Sequence, residues 1–220
     1  MMDLPSFPDV DLFSAGVNGL YGVLVARSPS HNRGYTMMGL MVMAYFGGIG
    51  GGVARDVLLN ELPGPFLQPP FLIVCLLMGL LGLAIDAYSV RKGEKFRTKI
   101  LSVLKTFTLP WFAILGAHKA LEHDLGIVAA IVVGLIATTA GGVFIDLFSG
   151  VTPEVVKPSE FVVLTAVLAS GIYTMLAESG LAFFHVTLIA VLAAIVFRMS
   201  AIHWRWHEIM PGAAASPGGL

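Results

Sequence analysis

Seven long apolar runs separated by short polar turns leave this chain almost no way to fold in water. They cover residues 10–26, 36–59, 69–88, 103–121, 125–148, 160–178 and 182–200. A helix needs roughly 20 apolar residues to cross about 30 Å of hydrocarbon. The runs meet that length, and they lack the alternation that a transmembrane barrel strand requires. Only 12% of residues are charged, about half the usual share of a soluble domain, and the mean hydropathy is +0.84. The expected fold is therefore an all-α membrane protein with seven transmembrane helices in a single domain over residues 1–205. Residues 206–220, rich in Gly, Ala and Pro, are expected to be a disordered tail.

Smaller features narrow the class. The net charge of -1 argues against nucleic acid as a partner, since phosphate binding needs a basic surface. The single cysteine, Cys75, lies mid-run and reads as a buried thiol. The N-terminal residues have no basic n-region, so no signal peptide is expected there. His203 and His207 stand four apart, a spacing able to hold a metal. With Trp204, Arg205 and Trp206 between them, an interfacial anchor is the preferred reading, and no metal or cofactor is expected.

The basic residues sort to one side. Arg91, Lys92, Lys95, Arg97, Lys99 and Lys105 follow the third run. Placing them in the cytoplasm puts the N-terminus outside and the C-terminus inside. Arg27, Arg33, Lys157, Arg198 and Arg205 then also lie inside, while the outer turns carry Glu61, Glu122, Asp124 and Glu178. An even number of spans would scramble this sorting.

Gly51-Gly52-Val53-Ala54-Arg55-Asp56, followed by Pro63, aligns without a gap to Gly141-Gly142-Val143-Phe144-Ile145-Asp146, followed by Pro153. Each copy ends the middle span of a three-span unit, over residues 10–90 and 103–178. Three is odd, so the second unit is upside down relative to the first. Such inverted repeats place sites near mid-membrane, where interrupted helices meet. The span at 182–200 has no counterpart and should pack outside.

Five glycines fall between Gly47 and Gly52. Each destabilises a helix interior by about 1 kcal/mol relative to Ala. Gly48 and Gly52 form a GxxxG pair, so close packing is one explanation. Recurrence beside an aspartate favours the other: both middle helices break, and freed carbonyls line a polar path. Arg55, Asp56, Lys119 and Asp146 lie inside or near the ends of spans, where a charge usually faces a cavity or a partner. Depth places Arg55, Asp56 and Lys119 in the outer half and Asp146 near the inner end. Lys119 should therefore meet Asp56 or the glycine break, not Asp146. Thr138, Thr139 and Ser149 add hydroxyls, though back-bonding to their own helix competes. No HExxH, GxSxG elbow or Walker loop is present, so an enzyme is not expected.

The run Gly50-Gly51-Gly52-Val53-Ala54-Arg55-Asp56-Val57-Leu58-Leu59, with Pro63, resembles the signature of the trimeric intracellular cation channel family, in its bacterial and archaeal branch. The resemblance covers residues 10–200. It implies a homotrimer in a prokaryotic plasma membrane, with one pore per protomer between the second and fifth spans. That pore would pass potassium and, more weakly, sodium. It also implies pore positions at Gly50, Gly51, Gly52, Asp56, Gly141, Gly142 and Asp146, and a gating role for Lys119 beside Arg55. Ile145 stands where a second arginine would balance Arg55, so the two half-pores should differ in charge. The Lys-Glu-Val triad that binds phosphoinositide in the animal branch is absent; membrane lipids remain expected neighbours. The alternative reading is a secondary transporter of a small solute, because inverted repeats are equally typical of transporters.

Overall fold

The computed structural model describes residues 8–31, 34–157, 161–204 and 206. Eight α-helices and one 3-10 turn occupy them: α1 Pro8–Ala26, α2 Met37–Leu58, α3 Gly64–Leu67, α4 Pro69–Lys92, α5 Glu94–Glu122, α6 Ile127–Phe148, the 3-10 turn Glu154–Val156, α7 Val162–Ala177 and α8 Phe183–His203. No strand occurs among the described residues. α3 is a four-residue connector, and the other seven helices coincide with the seven apolar runs. Five of them are long and apolar enough to cross a membrane; α1 over Val10–Ala26 and α7 are shorter. The expected tail lies outside the described residues except for Trp206, and so do Arg33, Arg205 and His207.

The helices group as the repeat requires. α1, α2 and α4 pack together, as do α5, α6 and α7, and the two triads meet mainly through α2 with α6 and α1 with α5. α8 lies mainly against α7 and α5. α2 and α6 are each 22 residues long and align without a gap. They run antiparallel: Phe46 stacks near Phe148 with ring centroids 4.7 Å apart, Gly50 faces Gly141, and Gly51 faces Ala137. Partner numbers fall as α2 advances, which is the inversion read from the odd span count.

Two expectations need correction. The helices do not unwind at the glycines: α2 and α6 are continuous through Gly47–Gly52 and Gly141–Gly142. Close packing offsets the propensity loss. A Cβ on Gly51 would enter the carbonyl oxygen of Ala137, and one on Gly141 would sit 2.7 Å from that of Phe46. Gly47 and Gly48 meet the carbonyls of Asn18 and Ala15 on α1 in the same way. Gly142 has nothing within 4 Å of its Cβ position. Gly51→Ala should therefore lower the thermal midpoint in detergent by several degrees, from overpacking of about 1–3 kcal/mol, while Gly142→Ala, free of clashes, should raise it slightly through helix propensity. Equal midpoints would refute this division. The second correction concerns 91–99, between the third and fourth apolar runs, where a polar turn is expected. The break shrinks to Gly93, with φ 93°, and α5 begins at Glu94.

The buried thiol reading of Cys75 holds, at 0% exposure against Ala15. Trp204 and Trp206 are exposed, with rings 5.1 Å apart, as an interfacial anchor would be. Arg198, expected on the cytoplasmic side, is buried on α8, where its Nε donates to Thr106 Oγ1 at 3.3 Å.

Candidate functional site

The shared motif first explains local structure. Asp56 and Asp146 each stand four residues before a left-handed residue that ends the helix, Asn60 (φ 57°) and Gly150 (φ 65°). The amides of Glu61 and Val151 return to the carbonyls of Asp56 and Asp146, both at 2.9 Å, closing a Schellman motif in each repeat. Each carboxylate then accepts the amide that follows the motif proline: Gly64 N–H to Asp56 Oδ2 and Glu154 N–H to Asp146 Oδ2, both at 2.8 Å. The aspartate thus holds the re-entering chain at both helix ends. One oxygen of each remains for other partners.

One partner of each comes from the opposite repeat. Asp56 Oδ1 accepts from Lys119 Nζ at 2.8 Å, the contact expected from depth, and from Arg55 Nε at 2.8 Å. Arg55 also lies 3.6 Å from Asp11 on α1, and Lys119 pairs with Glu61, which His123 meets at 2.9 Å. Asp56 is fully buried in this network and Arg55 is 5% exposed. At the other end, Asp146 Oδ1 meets His31 Nε2 at 2.7 Å. His31 belongs to the α1–α2 connection, so repeat one supplies the partner for repeat two, as Lys119 does in reverse.

The surroundings of the two aspartates differ. Asp146 opens onto a cavity of about 350 Å³ between the triads. Its wall includes Gly51, Gly141, Gly142, Thr138 and Thr139, which join Asp146 as expected from sequence. Lys105 and Glu154 face the same space and pair with each other. Asp56, Arg55, Lys119, Gly50, Gly52 and Ser149 are not part of that wall. Thr138 and Thr139 back-bond to the carbonyls of Gly134 and Leu135, both at 2.8 Å, so their hydroxyl oxygens remain the available acceptors. Ser149 accepts from Tyr35 Oη at 2.9 Å. Among the described residues no group of side chains has the makings of a metal site.

Both ends set carboxylates against permanent cations. The buried end sets Asp11, Asp56 and Glu61 against Arg55 and Lys119. The cavity end sets Asp146 and Glu154 against Lys105. Ile145 stands where a second arginine would balance Arg55, but the charge of Arg198 on α8 also reaches Lys105 and Tyr21 at the cavity end. Beyond the cavity, Asp86 on α4 takes Arg27 at 2.9 Å and Arg97, tying the ends of α1 and α4 to the start of α5. His31, Asp11, Asp86 and Lys105 were missed in the sequence. Asp86 and Lys105 lie in or beside apolar runs, which was a usable signal; His31, in a turn without pattern, offered none.

Similarities to known proteins agree with this geometry. A 29% identical relative, a UPF0126 membrane protein of Vibrio cholerae, matches over 92% of this chain and 80% of its own length. The trimeric intracellular cation channel orthologue of Rhodobacter sphaeroides has TM-score 0.78 and 25% identity, covering 89% of this chain and 96% of that one. A structure described under conductance through these channels has TM-score 0.81 and 22% identity, covering 96% and 100%. The family model described as Glycine transporter matches twice, at residues 10–87 and 102–178, one match for each repeat. The chain is a multi-pass membrane protein with the fold of the trimeric intracellular cation channels, and it belongs to the family described as Glycine transporter.

Proposed function

We propose that this chain is a monovalent-cation channel, permeable to potassium and more weakly to sodium. Each protomer of a homotrimer would hold one pore between α2 and α6. The observation that carries this reading is the pair of antiparallel helix ends, each with a buried aspartate: one opens onto a cavity and the other is closed by ion pairs. A cation path needs a negative potential at both ends and sites weak enough to leave. The likeness to solved cation channels supports it. In this reading the Arg55–Asp56–Lys119 network is the outer gate, and the cavity at Asp146 is the cytoplasmic vestibule, with the N-terminus outside and the C-terminus inside. Membrane lipid surrounds the trimer.

Lys119→Ala removes one of the two permanent cations on Asp56 and should change open probability or its voltage dependence. An unchanged gating curve would take Lys119 out of the gate. The function itself is tested in potassium-loaded proteoliposomes diluted into choline chloride. A channel produces an inside-negative potential, read with a potential-sensitive dye, and failure to develop one would count against the proposal.

A second reading rests on the family description and on one feature of the cavity. Its wall presents carboxylates at Asp146 and Glu154 and an ammonium at Lys105, the complement of a small zwitterion. About 350 Å³ is enough for an amino acid. Saturable uptake of labelled glycine by the same vesicles, without a potassium potential, would favour transport.

A further inference from the structure

α1 carries a single amide side chain, Asn18, in the middle of its apolar run. It stands ten residues after Pro8 and eight before Ala26. At 1.5 Å per residue it is about 12 Å or more from either end of the helix. An amide at that depth is costly to insert unless it faces a partner or a polar space. Asn18 faces the cavity. Among the described residues its carboxamide makes no hydrogen bond. α2 presses onto α1 at the same residue, where a Cβ on Gly47 would stand 2.5 Å from the Asn18 carbonyl oxygen.

Other helices bring their midpoints to this level. Gly47 is the eleventh of 22 residues in α2, Thr138 the twelfth of 22 in α6 and Thr108 the fifteenth of 29 in α5, and all three line the cavity. Thr138 donates its hydrogen to the Gly134 carbonyl, so its oxygen offers lone pairs only. The Thr108 hydroxyl, like the carboxamide, makes no hydrogen bond among the described residues. The charged groups lie elsewhere. Asp146 is eight residues past Thr138, about 12 Å along α6. Beside it Glu154 and Lys105 pair, and the charge of Arg198 on α8 reaches Lys105 as well. Both signs of charge meet at that end, whereas Asn18, Thr108 and Thr138 supply oxygens without formal charge.

We propose that Asn18 is a selectivity-determining residue: its carboxamide oxygen, with the oxygens of Thr108 and Thr138, replaces hydration water around a monovalent cation at mid-membrane. Neutral oxygens are weak-field ligands. They compensate the hydration lost by potassium better than that lost by sodium, and far better than that lost by a divalent ion. Asp146 gathers cations at one end of the cavity, and the level of Asn18 sorts them. This deepens the channel reading and rests on it for the effect on current.

Two measurements test it. Asn18→Leu keeps the size of the side chain and removes its oxygen. At low symmetrical KCl its unitary potassium conductance should fall about tenfold, the loss expected for one polar contact to a charged group. Its potassium-to-sodium permeability ratio, from bi-ionic reversal potentials, should fall toward one. Asn18→Thr, which keeps an oxygen, should lie between Asn18→Leu and the parent. Parental conductance and ratio in Asn18→Leu would overturn the proposal. The second measurement needs no current. Replacing N-methylglucamine chloride by KCl at constant ionic strength should raise the thermal midpoint in detergent, because a bound cation stabilises the folded state. The rise should be smaller in NaCl and absent in Asn18→Leu, whatever that variant's own midpoint. No rise in the parent, or an equal rise in Asn18→Leu, would overturn the site. A potassium-dependent rise that needs Asn18, without unitary currents, would keep the site and reject the channel.

Discussion

Asp56→Asn should destabilise the protein by about 3–5 kcal/mol, the loss expected when one partner of a buried ion pair is removed. Asparagine keeps an oxygen for the Gly64 amide, so the cap on the re-entering chain survives. What disappears is the negative charge between Arg55 and Lys119, each 2.8 Å away at a fully buried site. Arg55 would keep only Asp11, at 3.6 Å, and Lys119 only Glu61 at the rim. The readout is the thermal midpoint in detergent, together with the fraction recovered as folded oligomer. A midpoint matching that of the parent protein would show that the network holds little of the structure together.

Asp146→Asn should do the opposite: little loss of stability and a large loss of cation current. Its partners are an amide and a histidine, which an asparagine side chain can still meet. Its charge, however, faces the cavity. Even fully screened by water, a unit charge 4 Å away attracts a monovalent cation by about 1 kcal/mol. Losing it lowers occupancy about fivefold, and more where water is scarce. Potassium conductance should fall by that factor at low KCl and recover partly at high KCl. Unchanged conductance at low salt would remove this carboxylate from the path. The contrast between the two variants is the sharper result, since the same motif residue would hold the fold in one repeat and serve ions in the other.

The sequence carried much of this. Seven runs, an odd repeat and the sorting of basic residues led to the antiparallel meeting of α2 and α6 and to Lys119 on Asp56. The glycines misled because their helix propensity is local, whereas the gain that offsets it comes from helices brought into backbone contact, as at Gly51 and Ala137. The motif proline was visible without its meaning. Only the folded chain shows that Asp56 and Asp146 cap the amide after it. His31 was illegible for a different reason. It lies in a connection whose path depends on tertiary structure, and it stands 115 residues from the aspartate it meets.

The most direct test of the account is single-channel recording of the purified protein in planar bilayers under a KCl gradient. A potassium-permeable pore predicts unitary current steps that reverse toward the potassium equilibrium potential, with smaller steps in NaCl. Silent bilayers, together with saturable uptake of labelled glycine by the same preparation, would contradict it.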